Sequence, residues 1–185
     1  MQVYALVTDG TRYLIARKRI VNAFWEHGEV RSLRVVNQAG QWALPGGGRE
    51  DDETTEECAL REFREETGVK LSTLAGAKCV NTYSSRDFEV AEFLVSQTQL
   101  RDLYITINAN LQPKAGVGTR PTGQVRDWEL SETRIVTASE MRLYLGVRVD
   151  IFGQPGAARV NSGHHTQAID WYGDVASYAY LNFPD

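Results

Sequence analysis

The sequence predicts an α/β (α+β) fold in which a mixed β-sheet is packed between helices. Three observations carry that expectation. Short segments rich in β-branched and aromatic residues stand on both sides of one long, charged, helix-like segment. A second helix-like segment follows late in the chain. The 185 residues favour one domain, and 42% hydrophobic with 10% aromatic residues supply a core of ordinary size.

Taken in order, residues 2–8 alternate, with Val3, Ala5 and Val7 on one side, and read as a strand. Asp9-Gly10 is a hairpin turn signal, and residues 12–19 return as a second strand. Residues 29–36 (EVRSLRVV) read as another strand before a turn at 37–40. Trp42-Ala43-Leu44 is a short apolar strand stopped by Pro45 and by Gly46-Gly47-Gly48. Residues 52–67 read as a helix. Residues 69–81, 88–96 and 103–110 read as strands on β-branched and aromatic content. Residues 110–126 form a Pro- and Gly-rich loop that carries Lys114, Arg120 and Arg126. Short strands are predicted at 128–130 and 133–137. A helix is predicted at 139–145, and a last one at 167–181, where Gly173 weakens it. Residues 139–185 thus form a helical extension of a single domain spanning 1–185. No internal repeat or low-complexity tract is visible.

The net charge is −4 and the sequence pI about 5.5, which argues against general phosphate-backbone binding and hence against a nucleic-acid partner. Cys58 and Cys79 lack CxxC spacing, so neither a disulfide framework nor a structural zinc site is expected. The first residues lack a signal-peptide layout, and no apolar run is long enough to span a bilayer. A cytoplasmic location and no membrane partner are the expectation.

The helix at 52–67 poses a problem of charge. At about 100° per residue, with Glu62 set at zero, Glu66 lies near 40° and Glu65 near 300°, so three carboxylates share a face. Ala59, Leu60 and Phe63 form an adjoining apolar stripe suited to docking on a sheet. Three carboxylates beside a packed stripe are costly unless something offsets them. A hard divalent cation with oxygen ligands would do so. Glu50, Glu56 and Glu57 have a plainer reading as solvated helix charge. Gly46-Gly47-Gly48 would let backbone approach the acidic face, Gly68 would cap the helix in the left-handed conformation, and Glu53 would reach Arg61. Cys58, on the acidic side, reads as a small packing residue.

Gly47, five residues, Glu53, seven residues, Arg61-Glu62-Phe63, one residue, Glu65-Glu66, one residue, and Gly68-Val69 match the Nudix box G-x5-E-x7-R-E-U-x-E-E-x-G-U at every fixed position. Phe63 is bulkier than the usual aliphatic. By these residues the chain resembles the Nudix hydrolases, MutT-like enzymes. The resemblance implies a mixed sheet sandwiched between helices, with the box (47–69) as loop–helix–loop. It implies Mg2+- or Mn2+-dependent attack of water on a pyrophosphate phosphorus of a small nucleotide substrate. Carried over by position, Glu62, Glu65 and Glu66 would bind metal with the Gly46 carbonyl as a further ligand, and Glu53 and Arg61 would orient the helix.

For the general base, Glu65 is favoured within the box and a loop glutamate is the alternative. Glu132, before a strand and helix start similar to the family's, is the extra ligand or base candidate, against a surface role. Glu129 and Asp127 compete with it. Among substrate-binding candidates, Arg17 leaves the second strand beside residues 20–37, and Arg120 lies on the loop. Tyr83 stands fourteen residues after Val69, short of the tyrosine spacing of the family's diadenosine-polyphosphate hydrolases. Ser84-Ser85 occupy the region of the proline typical of its ADP-ribose pyrophosphatases. Trp25, Trp128 and Trp171 read as core residues before base-stacking ones, and His164-His165 as a turn before a metal site. The additions at 20–37 and 145–185 favour a nucleoside diphosphate coupled to a sugar or similar group, ADP-ribose-like. A MutT-type triphosphate pyrophosphatase and a non-catalytic nucleotide sensor are the alternatives. A homodimer is among the assemblies allowed.

Overall fold

β1 (Gln2–Thr8) and β2 (Arg12–Lys18) form an antiparallel hairpin. Its turn is held by the Asp9 carboxylate, which accepts from the backbone N–H groups of Thr11 and Arg12 at 3.1 and 2.8 Å. The computed structural model describes residues 1–19, 21–22, 34–35, 40–112 and 125–145. Beyond the hairpin lie β3 (Val21–Asn22) and β4 (Arg34–Val35), which pair with each other. Then come β5 (Trp42–Ala43), β6 (Gly46–Gly48), α1 (Thr55–Thr67), a 3-10 turn (Leu71–Thr73), β7 (Lys78–Ser84), β8 (Phe88–Leu94), α2 (Gln97–Asn110), β9 (Leu130–Thr137) and α3 (Ala138–Tyr144).

Seven strands make one mixed sheet. The path β5-β2-β1-β8-β7 carries β6 on β1 and β9 on β2. The β1–β8 pair is parallel and the others are antiparallel. β1 and β2 pair only near the turn, Val7 with Leu14 and Thr8 with Tyr13. Farther on they part, and the chain from Trp42 to Gly48 fills the gap. β5 pairs with Ala16 and Arg17 of β2, β6 pairs with Gln2 to Tyr4 of β1, and the Pro45 carbonyl accepts from Ala5 N–H at 2.8 Å.

Strand alternation sorts the core into two faces. Val3, Ala5, Val7, Leu14 and Ala16 meet Ala59 and Phe63 of α1 and Leu100, Leu103 and Ile107 of α2. Tyr4, Leu6, Tyr13 and Ile15 meet Ala138 and Met141 of α3. The result is the α/β/α sandwich expected.

Several boundaries differ from expectation, each for a physical reason. Residues 103–110 are not a strand but the end of α2. Ser96 and Gln99 form a reciprocal capping box, and the buried Leu100, Leu103 and Ile107 recur at helical spacing, which outweighs the β preference of Ile105 and Ile107. Residues 69–77 are not part of a strand: Leu71 is buried in the 3-10 turn and Gly76 turns the chain at φ +78°. Gly46–Gly48, expected as a strand stop, pairs as β6. The helix expected from residue 52 starts at Thr55, because Thr54 caps it and forms a box with Glu57. Of the strands expected at 128–130 and 133–137, Trp128 and Glu129 form a turn, and Leu130 joins the later segment in one strand, β9. The helix expected at 139–145 starts at Ala138 and ends at Tyr144, its N-cap being Thr137. The helix expected at 167–181 and most of the strand expected at 29–36 lie outside the described residues. Among the described residues no helix is long and apolar enough to cross a membrane.

Candidate active site

The Thr54 box starts α1, and Gly68 ends it at φ 75°, its N–H donating to the Arg64 carbonyl at 2.8 Å. A left-handed φ is what glycine tolerates and a β-carbon resists. Cys58, Ala59 and Phe63 lock the apolar side of the helix under β1. That rotation sets Glu62 and Glu66 beside β6 and Glu65 beside Arg61 and Arg126. Gly47 packs against this face so closely that a β-carbon on it would lie 2.6 Å from the Glu62 carboxyl. Gly46 N–H donates to Glu66 Oε2 at 2.9 Å.

Arg61 is the hub of the acidic face. It bonds Glu53 through Nε and Nη2 at 2.7 and 2.9 Å, Glu62 through Nη1 at 2.7 Å, and the Gly48 carbonyl at 2.9 Å. Glu65 lies 3.4 Å from it and 3.3 Å from Arg126. The Arg61 guanidinium holds the Glu53 carboxyl down to about 2. Cys58 is buried, and that burial pushes its thiol up to about 12, so it stays neutral.

The chain also brings groups to this face that helix periodicity does not reveal. Lys18, at the end of β2, sets Nζ 2.5 Å from Glu129 Oε2 and 3.9 Å from Glu66 Oε1. Burial pulls its ammonium down, but Glu129 and Glu66 outweigh burial and hold its pKa above the ordinary lysine value. Arg126 and Asp127 both donate backbone N–H to the Glu65 carbonyl, at 2.8 and 3.0 Å, which fixes their segment against α1. Burial, then the Glu129 charge, push the Asp127 carboxyl up to about 7 despite Lys18. Burial raises Glu66 well above its ordinary value and also raises Glu62, against the pull of Lys18 and Arg61 respectively. Alternation was the available signal for Lys18, which shares a strand face with the buried Leu14 and Ala16.

Not every expected residue joins this cluster. Glu132 pairs with Arg17 across β2 and β9, Oε1 to Nη1 at 3.4 Å. Both alternate with Tyr13, Ile15 and Val136 toward the α3 face, away from α1. Tyr83 packs on that same far face, its ring centroid 5.8 Å from that of Phe88. Of the carboxylates weighed between residues 127 and 132, Glu129 and Asp127, in the turn before β9, stand beside the α1 cluster and Glu132, on β9, does not. Trp128 is a core residue, 2% exposed, under the Arg19 guanidinium. Arg120, Lys114, Trp25, Trp171 and His164-His165 lie outside the described residues.

A profile of the NUDIX domain matches residues 3–149. The chain belongs to the NUDIX family.

Two curated relatives are similar to parts of this NUDIX chain. A Mycobacterium tuberculosis protein named as a candidate 8-oxo-dGTP diphosphatase is 38% identical over 66 residues, 36% of this chain and 24% of that protein. An Enterobacter protein named nucleoside triphosphatase NudI is 58% identical over 36 residues, 20% of this chain and 26% of that protein. The matches thus span about a quarter of each relative's length. Among solved structures, a mutT/nudix family protein from Listeria innocua is 16% identical, covers 98% of this chain and 91% of its own, and has a TM-score of 0.49.

The fold family implies a divalent cation at the NUDIX acidic face. Among the described residues, no three His, Cys, Asp or Glu side chains form a ready cage for an ion. Glu62 and Glu65 share the face, as the helical wheel predicts, but turn to Arg61 and Arg126. The donor chemistry nonetheless fits. The donors are carboxylate oxygens, three of the carboxyls (Glu62, Glu66, Asp127) are held above their ordinary pKa, and magnesium ordinarily takes one or two carboxylates with waters and substrate phosphates.

Two expected results follow from this geometry. Gly47→Ala drives a methyl into the Glu62 carboxyl, which is the free end of a side chain, so the carboxylate moves and the fold holds. Turnover should fall by roughly 10²-fold, as for other ångström-scale misplacements, with little change in melting temperature. Steady-state assay beside thermal denaturation checks both halves.

Asp127→Asn should stabilise the metal-free protein at pH 8. Because the folded pKa is raised, stability from this group is full below the unfolded value near 3.8 and is lost as pH rises through about 7. The gain from asparagine is therefore largest above pH 7, at most about 4 kcal/mol, and vanishes toward pH 4. Urea titrations in EDTA at pH 4.5 and 8 would measure the difference.

Proposed function

We propose that this NUDIX chain hydrolyses a pyrophosphate bond in a small nucleotide. Support comes from one observation above all: Glu62 and Glu66 of α1 lie against a glycine backbone, with Glu65 linked to Glu62 through Arg61 and with Glu129 and Asp127 near Glu66. Glu62 and Glu66 would hold a Mg2+ or Mn2+ ion, with Glu65 and the Gly46 carbonyl as further candidate ligands. When bound, the ion supplies charge neutralisation at the phosphoryl oxygens. Glu65, the more exposed of the three carboxylates on α1, accepts a proton from the attacking water as a P–O bond forms to that water. The bridging P–O bond breaks, and the leaving phosphate takes the electron pair. Arg61 orients Glu62 and Glu65, and Glu53 holds Arg61 in place. The intact acidic face favours catalysis over a purely sensing role, and a cytoplasmic location suits such a substrate.

On the substrate, the nucleotide-sugar or ADP-ribose-like reading rests on residues 20–37 and 145–185, most of which lie outside the described residues. The names of both curated relatives favour a nucleoside triphosphate instead. A panel of nucleoside triphosphates, nucleotide sugars and ADP-ribose, run in ¹⁸O-labelled water with Mg2+ or Mn2+, tests the proposal. Metal-dependent release of a nucleoside monophosphate is expected, and the labelled product identifies the phosphorus attacked. No turnover across the panel would defeat the hydrolase reading and leave the sensing one.

A further inference from the structure

On the outer side of the helical layer, where α1 ends and α2 passes, lies a cavity of about 610 Å³. Arg64, Lys70 and Arg126 line it together with Thr73 and Thr106, over a floor that includes Gly68. No carboxylate is among the lining groups, although the chain as a whole is acidic, at −4. We infer that this cavity is a second anion site, which takes a phosphate-bearing small molecule beside the acidic face.

The three cations come from different places in the chain. Arg64 is in the last turn of α1, Lys70 follows the Gly68 cap, and Arg126 arrives with the segment that the Glu65 carbonyl holds. Neither the Arg64 guanidinium nor the Lys70 ammonium has a hydrogen-bond or ion-pair partner among the described residues. Thr73 donates its hydroxyl to the Lys70 carbonyl at 2.8 Å, so the Arg64 guanidinium and the Lys70 ammonium, with the Thr106 hydroxyl, are the side-chain donors that face a ligand, and Arg126 would be shared with Glu65. The plainer reading is that Arg64 and Lys70 merely complement the α1 dipole. That reading explains their position near a helix C-terminus. It does not explain a concave site in which a third cation, from a segment 56 residues beyond Lys70 in number, converges on them.

Arg126 joins this cavity to the catalytic face, since its Nη1 lies 3.3 Å from Glu65 Oε1. A phosphate held by Arg126 would compete with Glu65 for the guanidinium and release that carboxylate. The anion is either a distal phosphate of the substrate or a separate phosphorylated effector. Guanidinium and ammonium donors recognise both by the same charge-assisted bonds.

The test is an amide NMR titration of the full chain with inorganic phosphate and with tripolyphosphate in EDTA. Without divalent metal it reads anion binding alone and does not depend on turnover. Saturable shifts are expected at Gly68, Val69, Lys70 and Thr73, with an apparent Kd weakened about fivefold or more in Arg64→Gln/Lys70→Gln. Both substituted side chains are exposed, and a wild-type amide spectrum elsewhere will confirm that the variant folds. Absence of shifts at these residues, or equal affinity in the variant, would overturn the site. Kinetics on the best substrate of the panel then assign the source. Competition by phosphate, with a raised KM in the variant, identifies a substrate phosphate. A phosphate effect on kcat that the variant loses identifies an effector.

Discussion

Glu65→Gln is expected to lower kcat by about 10²–10⁴-fold, the usual effect of losing a positioned acid–base group, while nucleotide binding survives. Glutamine keeps the size and one carbonyl acceptor, so Arg61 and Arg126, at 3.4 and 3.3 Å, still have a partner. The backbone carbonyl of residue 65, which accepts from Arg126 and Asp127, is untouched by the change. Melting temperature should therefore move little, and the loss should appear in chemistry. Single-turnover kinetics beside equilibrium binding separate the two. A variant with wild-type kcat would move the base to Glu129 or Asp127, the two other carboxylates on this side of the sheet.

Lys18→Met should produce the largest loss of stability. It removes the cation between Glu129, partly buried, and Glu66, almost out of contact with solvent, at 2.5 and 3.9 Å. Breaking a buried charge set on one side costs about 3–5 kcal/mol, which in a chain of this size is a fall of roughly 10 °C. Methionine fills much of the same volume, so a cavity is not the cause. The pH dependence distinguishes charge from packing. Glu66 is raised well above its ordinary value even beside Lys18, and removing the lysine lifts it further. A carboxyl with a raised pKa binds its proton more tightly in the folded than in the unfolded chain, so its contribution is intact at low pH and is lost as pH rises. The deficit should be small at pH 5 and large at pH 8, and Mn2+ should recover part of it at pH 8. A deficit independent of pH would make Lys18 a packing residue only.

The helix that carries the acidic face was legible in the sequence because its causes are local. Thr54 and Glu57 cap it, Ala59 and Phe63 set its rotation, and Gly68 ends it, all within one segment. The β1–β2 hairpin was legible for the same reason. Lys18, Glu129 and Asp127 were harder to place because sheet register brings them in. Lys18 faces α1 by alternation, but Glu129 comes beside it through the pairing of Lys18 with Leu130 of β9 and the Arg19 N–H bond to the Glu129 carbonyl. Alternation along those two strands also sends Arg17 and Glu132 to the other face. β6 was obscured because glycine weakens a strand. Here its lack of a side chain is what lets the strand lie against Glu62. The Ser96 and Gln99 box marked the start of α2 within the sequence, but Ile105 and Ile107 pulled the reading toward a strand.

The proposal as a whole stands on divalent-ion uptake by the α1 carboxylates, and titration calorimetry of Mg2+ and Mn2+ with a non-hydrolysable nucleotide measures it directly. The expected result is saturable uptake, weakened about tenfold or more in Glu62→Gln/Glu66→Gln. No uptake by the wild-type chain, with or without nucleotide, or equal uptake by that variant, would contradict it.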